Sequence, residues 1–194
     1  MGVRSGKGDN GFTDLLFHKH VSKDSPYIGA IGDLDEVSCY LGLIKSKMRS
    51  RKDVTVIERI QRAISAISTE ISVGTERKSR LGLLLRKEDV DWAESVVYEL
   101  EGKVKIETCF DLPGYGEVSS LLDIARTVTR RAERNVVGLF RKHKVKNDNI
   151  LSYLNCASDI LFLMAREKAQ GEKKPRVKRR AKAGRAKVRR KGKR

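Results

Sequence analysis

Residues 126–134 of this chain read Arg-Thr-Val-Thr-Arg-Arg-Ala-Glu-Arg, so four arginines and one glutamate crowd into nine residues. On a helix, Arg126, Arg130 and Glu133 would share one face, and so would Arg130 and Arg134. One glutamate cannot neutralise four guanidinium groups, and the guanidinium fork suits phosphate oxygens. The segment therefore indicates a polyphosphate site. The structural alternative is a solvated basic helix face whose charge is partly neutralised by local salt bridges.

A glycine-rich segment near the N-terminus, residues 5–13 (SGKGDNGFT), is a second phosphate-binding candidate. Glycines let the backbone approach a phosphate, and successive N–H groups can form an anion-binding nest. The spacing of a Walker A loop is absent. Lys23, in the following Val-Ser-Lys-Asp segment, could place an ammonium group on a phosphate. A flexible polar N-terminus and a helix-entry turn are the structural alternatives for these two segments.

Three further segments have both a functional and a structural interpretation. Carboxylates at positions 33, 35 and 36 suit the positive end of a helix macrodipole, or Asp35 pairs with an arginine across the bundle or a subunit interface. Phe110 precedes a Leu-Pro-Gly turn and is either a core residue or an aromatic face for a flat ligand. Asn155 and Asp159 share a helix face, where a mid-helix asparagine either binds a ligand or forms an interhelical hydrogen bond.

Histidine and cysteine usage disfavours several classes of site. The three histidines form no metal-binding pattern, and no Ser/His/Asp or Cys/His set indicates nucleophilic catalysis. An odd number of widely separated cysteines favours a reducing compartment, the cytoplasm, over a disulfide framework or a zinc site; they are Cys39, Cys109 and Cys156. No run of 18 apolar residues predicts a membrane span, and no apolar stretch predicts a secretory signal.

Helical periodicity dominates the chain after residue 25 and predicts five helices. The clearest stripe consists of isoleucines at 57, 60, 64, 67 and 71, which are three or four residues apart. Further stripes cover residues 31–48, 93–100, 121–139 and 151–165, and no segment alternates persuasively as a strand. We therefore expect an all-α fold, a five-helix antiparallel bundle over residues 26–172, with residues 1–25 as a loop segment of the same domain.

The charge of the chain is concentrated at its C-terminus. The net charge is +17, and residues 173–194 contain 14 lysines and arginines and no acidic residue. Such a segment cannot bury enough apolar surface to offset its ordering entropy, so we expect a disordered basic tail. The residues before this tail are nearly neutral in net charge and contain no motif that is typical of binding in a groove of DNA. This disfavours a dedicated nucleic-acid-binding fold but leaves non-specific binding through the tail open.

The order of these segments resembles that of the PduO-type ATP:cob(I)alamin adenosyltransferases, which are corrinoid adenosyltransferases. The matching motifs are GDxGxT, SKD, FxLPG, RTVxRRAER and LNxxSD, and the resemblance covers residues 5–168. It implies a five-helix bundle assembled as a homotrimer, with ATP and the corrinoid meeting at subunit interfaces. The implied reaction moves the 5′-deoxyadenosyl group of ATP to the cobalt of cob(I)alamin and yields adenosylcobalamin and triphosphate.

The resemblance also implies roles for individual residues and partners. Arg126 and Asp35 match an intersubunit salt bridge, and Phe110 matches the aromatic ring that closes the lower face of the corrinoid. Mg²⁺ would act with ATP, a flavoprotein reductase would supply the reduced corrinoid, and a cobalamin-dependent enzyme would accept the product. The implied nucleotide-binding residues are Ser5, Gly6, Lys7, Gly8, Thr13, Asp14, Lys23, Arg130, Arg131, Glu133, Arg134 and Asn155.

The implied chemistry fits the residue types, because Co(I) is itself a strong nucleophile and needs no protein base. The protein has to hold C5′ in line and stabilise the triphosphate leaving group. Three residues depart from the family pattern: Lys7 replaces a threonine, Tyr115 a second glycine, and Cys156 a frequent arginine. Two other classes therefore stay open, a non-catalytic nucleotide- or corrinoid-binding bundle and a nucleic-acid-associated protein that acts through its tail.

Overall fold

A computed structural model describes residues 6, 8–16, 18–73, 85–105, 112–142 and 145–171 of the protein. Within these ranges lie two short strands and five helices, which confirm the predicted all-α bundle. The strands are β1 (Phe12–Thr13) and β2 (Val21–Ser22), and the helices are α1 (Pro26–Lys47), α2 (Arg51–Val73), α3 (Lys87–Glu101), α4 (Glu117–Arg141) and α5 (Asn149–Gly171). The predicted basic tail, residues 173–194, lies outside the described residues.

Polar contacts between the helices fix their directions. Gln61 of α2 donates to the Ser38 carbonyl of α1 at 2.9 Å, whereas Glu58, about one turn earlier in α2, pairs with Lys45 near the end of α1. These two helices are therefore antiparallel, and the same reversal relates α1 to α4 and α2 to α3. The pairs that establish it are Lys47–Glu117 and Asp33–Arg131 for α1 and α4, and Lys52–Glu99 and Arg59–Asp89 for α2 and α3.

The isoleucine stripe of α2 forms one wall of the core, as its spacing predicts. All five of these side chains are at most 1% exposed: Ile57, Ile60, Ile64, Ile67 and Ile71. The apolar stripe of α4 is buried as well, through Leu122, Ala125, Val128, Ala132, Val136 and Leu139. Because α4 packs against both α1 and α5, its inward face occupies the middle of the bundle.

The buried stripe of α1 differs slightly from the predicted one. Its buried residues are Ala30, Leu34, Val37, Leu41 and Ile44. Ile31 and Met48, which the sequence assigned to this stripe, pack against its edge and are only partly buried. The small side chain of Ala30 gives a weak hydrophobic signal, yet it occupies the inward position one turn before Leu34.

The first turn of α1 lies earlier than the carboxylate cluster at residues 33–36 indicates. Ser25 caps the helix by accepting the Ile28 N–H at 3.4 Å, and Pro26 occupies the first helical position. Both features are typical of helix starts. The cluster therefore lies in the third turn, and its interpretation as a set of charges at the helix N-terminus is wrong.

A short hairpin precedes α1, in a region that the sequence predicts as loop. β1 and β2 are antiparallel, with Phe12 opposite Ser22 and Thr13 opposite Val21. The Phe12 ring stacks on the His20 ring, with 4.0 Å between the centroids and 7° between the planes. Two-residue strands are too short to produce an alternating hydrophobic pattern, which explains why the sequence does not reveal them.

In the part of the chain that the structure describes, no helix combines the length and the apolar character that a membrane crossing requires.

Ile67→Ala should destabilise the bundle by about 2–5 kcal/mol, because it removes a fully buried side chain and leaves a cavity. Urea unfolding followed by circular dichroism measures the change. Ser65→Ala, at an exposed position of the same helix, is the control and should stay within about 0.5 kcal/mol of the wild type. Equal stabilities of the two variants would contradict this account of the core.

Candidate functional site

The glycine-rich segment and the lysine after it come together in the hairpin. The Lys23 ammonium donates to the Gly8 carbonyl at 2.7 Å, and the Lys23 backbone N–H donates to the Gly11 carbonyl at 2.9 Å. A Cβ atom at Gly8 would lie 3.0 Å from the Lys23 Nζ, so a side chain at this position would crowd the ammonium. Gly11 has φ +84°, a conformation that favours glycine. The structure thus unites two motifs that the sequence presents separately.

Thr13 and Asp14 lie at the start of the connection between the two strands. Thr13 ends β1, and the Asp14 carboxylate accepts the His20 backbone N–H at 2.9 Å. His20 has φ 58°, in the left-handed region, and the Asp14 contact holds the backbone there. Asp14 therefore shapes the loop, and its assignment to the nucleotide stays a prediction, as does that of Thr13. Ser5 and Lys7, two other predicted ligands, lie outside the described residues.

Two of the four arginines in residues 126–134 of α4 remain exposed on one face. Arg130 Nη1 lies 4.0 Å from a Glu133 carboxylate oxygen, and the Arg130 side chain is 49% exposed. Arg134 is also exposed, and its Nη1 donates to the Arg130 carbonyl at 3.2 Å. This face carries more positive charge than Glu133 can neutralise, so it can accept an anionic ligand.

Arg131 points to a different side of α4 and is bound within the protomer. Its Nε donates to Asp33 of α1 at 3.0 Å, and its Nη2 donates to Glu36. Asn135, one turn later, also donates to Asp33. Arg131 thus links α4 to α1, and its contact with the nucleotide stays a prediction.

α5 brings Asn155 and Asp159 beside the arginine face. Asn155 is exposed, and its backbone carbonyl accepts the Ser158 hydroxyl at 2.9 Å. Partial burial raises the pKa of Asp159, the charge of Arg130 opposes this increase, and Glu101 adds to it. Arg130 of α4 therefore acts on the charge of a carboxylate of α5, and the two helices pack against each other. Asn155 lies one turn before Asp159 on α5.

Arg126 and Asp35, the predicted intersubunit pair, do not meet within the protomer. Arg126 Nε lies 3.6 Å from Oδ1 of Asp123, one turn earlier in α4. Asp35 lies on the exposed side of α1, and no ion pair of Asp35 is found among the described residues. The ion pair between Arg126 of one subunit and Asp35 of another therefore stays a prediction.

The sequence reading missed the residues that surround Arg126. The Asp123 carboxylate accepts a hydrogen bond from Arg166 of α5, and their side chains are only 7% and 9% exposed. The contact between Asp123 and Arg126 could have been predicted from the sequence, because residues three apart on a helix are neighbours. No comparable signal points to Arg166, which is 43 residues away in the chain.

The described residues thus form two separate parts of a possible anion site. The hairpin offers Lys23 and glycine backbone, whereas α4 and α5 offer Arg130, Arg134 and Asn155. Within the described ranges, no hydrogen bond or ion pair joins the hairpin to the exposed arginine face. No group of three or more metal-ligating side chains is found there either. Phe110, the predicted aromatic cover of a flat ligand, lies outside the described residues.

Comparisons with known proteins agree on one family. The protein-family model described as cobalamin adenosyltransferase matches residues 3–168. The chain is 32% identical over 166 residues to the corrinoid adenosyltransferase PduO of Salmonella typhimurium, covering 86% of this chain and 49% of the relative. It is 33% identical over 163 residues to the corrinoid adenosyltransferase of Bacillus subtilis, covering 82% of each. The chain therefore spans about half the length of the Salmonella relative and most of the Bacillus one.

Solved structures show the same similarity. A variant of the PduO-type ATP:corrinoid adenosyltransferase from Lactobacillus reuteri, complexed with cobalamin and ATP, superposes with a TM-score of 0.80 at 26% identity. The match covers 89% of this chain and 97% of that chain. A second variant of that protein, complexed with ATP, superposes with a TM-score of 0.78 at the same identity.

Cys156 should react slowly with iodoacetamide, and its reaction should require a higher pH than that of a free cysteine. Burial raises the pKa of this thiol, and the nearby Glu94 and Asp159 carboxylates add to the increase. A raised pKa means less thiolate at a given pH, and the thiolate is the reactive form. Alkylation rates of a Cys39→Ser/Cys109→Ser variant, measured against pH beside a cysteine peptide, test this. A midpoint at or below that of the peptide would be inconsistent with it.

Proposed function

Because the chain belongs to the cobalamin adenosyltransferase family, we propose that it transfers the 5′-deoxyadenosyl group of ATP to cob(I)alamin. In this reaction Co(I) donates an electron pair to C5′ and forms the Co–C bond. The C5′–O bond breaks, and its electron pair leaves with triphosphate. The observation that carries the proposal is the exposed face of Arg130 and Arg134, because it supplies the positive charge that such a leaving group requires.

The exposed arginine face would stabilise the transition state by binding the triphosphate. Negative charge grows on the leaving oxygen as the C5′–O bond breaks, and preorganised cations stabilise that charge. Arg130 is suited to this role because Glu133, its contact in α4, lies at the 4.0 Å limit of an ion pair. A phosphate could therefore displace this weak contact with little cost.

The hairpin would hold the other part of the nucleotide. The Lys23 ammonium binds only a backbone carbonyl among the described contacts, so its full charge remains available to a phosphate. Gly8 allows the backbone to lie against this ammonium. The neighbouring Ser5, Gly6, Lys7, Thr13 and Asp14 complete the nucleotide-binding segment in this proposal. Lys7 adds a second cation where the family has threonine, so its contact would be ionic.

Mg²⁺ fits this site only with help from the substrate. The described residues hold no cluster of metal ligands, and Mg²⁺ in nucleotide sites is commonly bound through phosphates and one or two carboxylates. Glu133, which lies beside Arg130, would supply such a carboxylate. When bound with ATP, Mg²⁺ would neutralise part of the phosphate charge.

The corrinoid would lie where Phe110 can close its lower face. An apolar ring in place of an axial ligand makes Co(II) easier to reduce, and a flavoprotein reductase is the electron donor in this proposal. Tyr115, in the connection before α4, replaces a small residue of the family pattern and would reshape the corrinoid pocket. The product would pass to a cobalamin-dependent enzyme.

We further propose a homotrimer in which Arg126 pairs with the partner subunit's Asp35. Two features of the protomer support this arrangement. Asp35 is exposed on α1, and the Arg126 side chain is 28% exposed, with a long contact of 3.6 Å to Asp123 as its ion pair among the described residues. A contact between subunits would bring these opposite charges together.

Purified protein mixed with ATP, Mg²⁺ and chemically reduced cobalamin should form adenosylcobalamin, which absorbance detects. Arg130→Ala should lower the rate by about 10²–10³, because it removes one preorganised donor to the leaving group. Arg141→Ala, an exposed arginine at the end of the same helix, is the matched control and should keep the wild-type rate. No product from the wild type would favour the non-catalytic binding bundle, and equal rates for both variants would remove Arg130 from the site.

Truncation after residue 172 should leave adenosyl transfer intact and abolish binding to DNA at low salt. The removed segment carries 14 cations and lies beyond the last buried stripe, so the core should not depend on it. Binding by the full chain should weaken with salt, with a log–log slope of about −0.9 per phosphate neutralised. A salt-titrated anisotropy assay measures both proteins. Loss of transferase activity on truncation, or no DNA binding by the full chain, would contradict this division of roles.

A further inference from the structure

We propose that Asp123 is a positioning residue that presents Arg126 to the partner subunit's Asp35. The proposal rests on the trimer put forward above and adds a residue to which no role has been assigned. Asp123 lies one turn before Arg126 on α4, and its Oδ1 is 3.6 Å from Arg126 Nε. Its Oδ2 accepts a hydrogen bond from Arg166 of α5. One carboxylate therefore joins two arginines.

Arg166 fixes the Asp123 carboxylate in place. Both side chains are more than nine-tenths buried, and the Arg166 guanidinium also lies over the Phe162 ring at 5.6 Å. A buried carboxylate held by a charge-assisted hydrogen bond has little freedom to rotate. Oδ1 of Asp123 is therefore kept directed at Arg126 by a residue on another helix.

The contact with Asp123 determines how Arg126 faces the surface. A guanidinium carries five N–H donors in one plane, so a carboxylate beside Nε leaves donors of the terminal nitrogens for a second carboxylate. The Arg126 side chain is 28% exposed although its Nε is buried. The terminal nitrogens are thus the part of this side chain that can reach a second subunit.

Arg126 has only one carboxylate contact among the described residues, and it is a long one. Asp123 Oδ1 lies 3.6 Å from Arg126 Nε, and the same carboxylate also accepts a hydrogen bond from Arg166. A partly buried guanidinium without a full counter-charge is unfavourable. Asp35, exposed and without an ion pair among the described residues, can supply that charge from a neighbouring subunit.

A cycle of variants separates positioning from a merely structural link between α4 and α5. Asp123→Leu/Arg166→Met removes both members of the buried pair together, which is less disruptive than removing one of them, so the fold should persist. Analytical ultracentrifugation should then show trimer association weakened by about 10- to 100-fold, as expected for the loss of a charge-assisted hydrogen bond. Asp35→Asn should weaken the wild type to a similar degree. In the Asp123→Leu/Arg166→Met background it should add less than about twofold, because the pair is already lost.

A matched control is the ion pair between Asp53 of α2 and Lys168 of α5, at 2.6 Å and two residues from Arg166. Asp53→Leu/Lys168→Met should leave both association and the full effect of Asp35→Asn unchanged. Should the Asp123→Leu/Arg166→Met protein fail to fold, Asp123→Asn enters the same cycle, since it keeps a hydrogen-bond acceptor for Arg166.

Additive effects of the Asp123 and Asp35 substitutions would overturn the proposal, and so would a monomeric wild type. Association is measured without turnover, so a trimer with a coupled cycle but no adenosyl transfer would refute the enzymatic function alone. Conversely, an active trimer with additive effects would refute only the positioning role of Asp123.

Discussion

The arrangement of charge on α4 constrains the rest of the structure. Like charges four residues apart on a helix destabilise it, so the cations of residues 126–134 need partners in several directions. The helical period turns Arg131 by about 100° from Arg130, and this rotation places it against α1. Arg131 is thus bound to Asp33 and Glu36, whereas Arg130 and Arg134 stay exposed, and the ion pair of Arg130 with Glu133 is a long one of 4.0 Å. The same helix is therefore both a structural cross-link and a candidate anion site.

The exposed arginines and the cross-link to α1 can lie on one helix because the opposite side of α4 packs into the core. Ala125 and Ala132 are fully buried, and their small side chains let neighbouring helices come close. Thr129 lies between them with its hydroxyl bound to the Ala125 carbonyl at 2.8 Å, so even the polar residue on this face is satisfied. This buried stripe fixes the rotation of α4 about its axis and therefore the directions in which the arginines leave the helix. Placement of cations before the reaction is what electrostatic stabilisation of a leaving group requires.

The sequence predicted those features of the fold that depend on local period. Five helices follow from apolar spacing, and the isoleucine stripe of α2 is buried throughout. The hairpin was not predicted, because two-residue strands carry no period. The carboxylates at residues 33–36 were placed at a helix start, since their use as partners of Arg131, 98 residues away for Asp33, is a property of helix packing. The spacing of apolar residues along the chain predicts the helices. The ion-pair partner of a charged residue depends instead on which helices pack against each other.

The candidate site shows the same limit. Lys23 and Gly8 were each picked out by residue type, but their contact across 15 residues depends on the hairpin. Asp123 and Arg166 were missed because a buried ion pair between distant residues leaves no mark in either segment. Their burial is informative for this reason, since a charge pair is an expensive way to join two helices when apolar residues would serve. In the proposed trimer, the Asp123–Arg166 pair would also orient Arg126, which is a role other than stabilising the fold.

The separation between the hairpin and the arginine face gives the proposed substrate a structural role. Each part holds cations that its own described contacts leave incompletely neutralised, Lys23 in the hairpin and Arg130 on α4. No described hydrogen bond or ion pair draws the two parts together, and their like charges oppose a close approach. A triphosphate carries enough negative charge to bind both, so in the proposed enzyme the nucleotide would itself supply the missing connection. Binding of ATP and completion of the site would then be the same event, which keeps the reactive Co(I) centre from meeting a half-formed site.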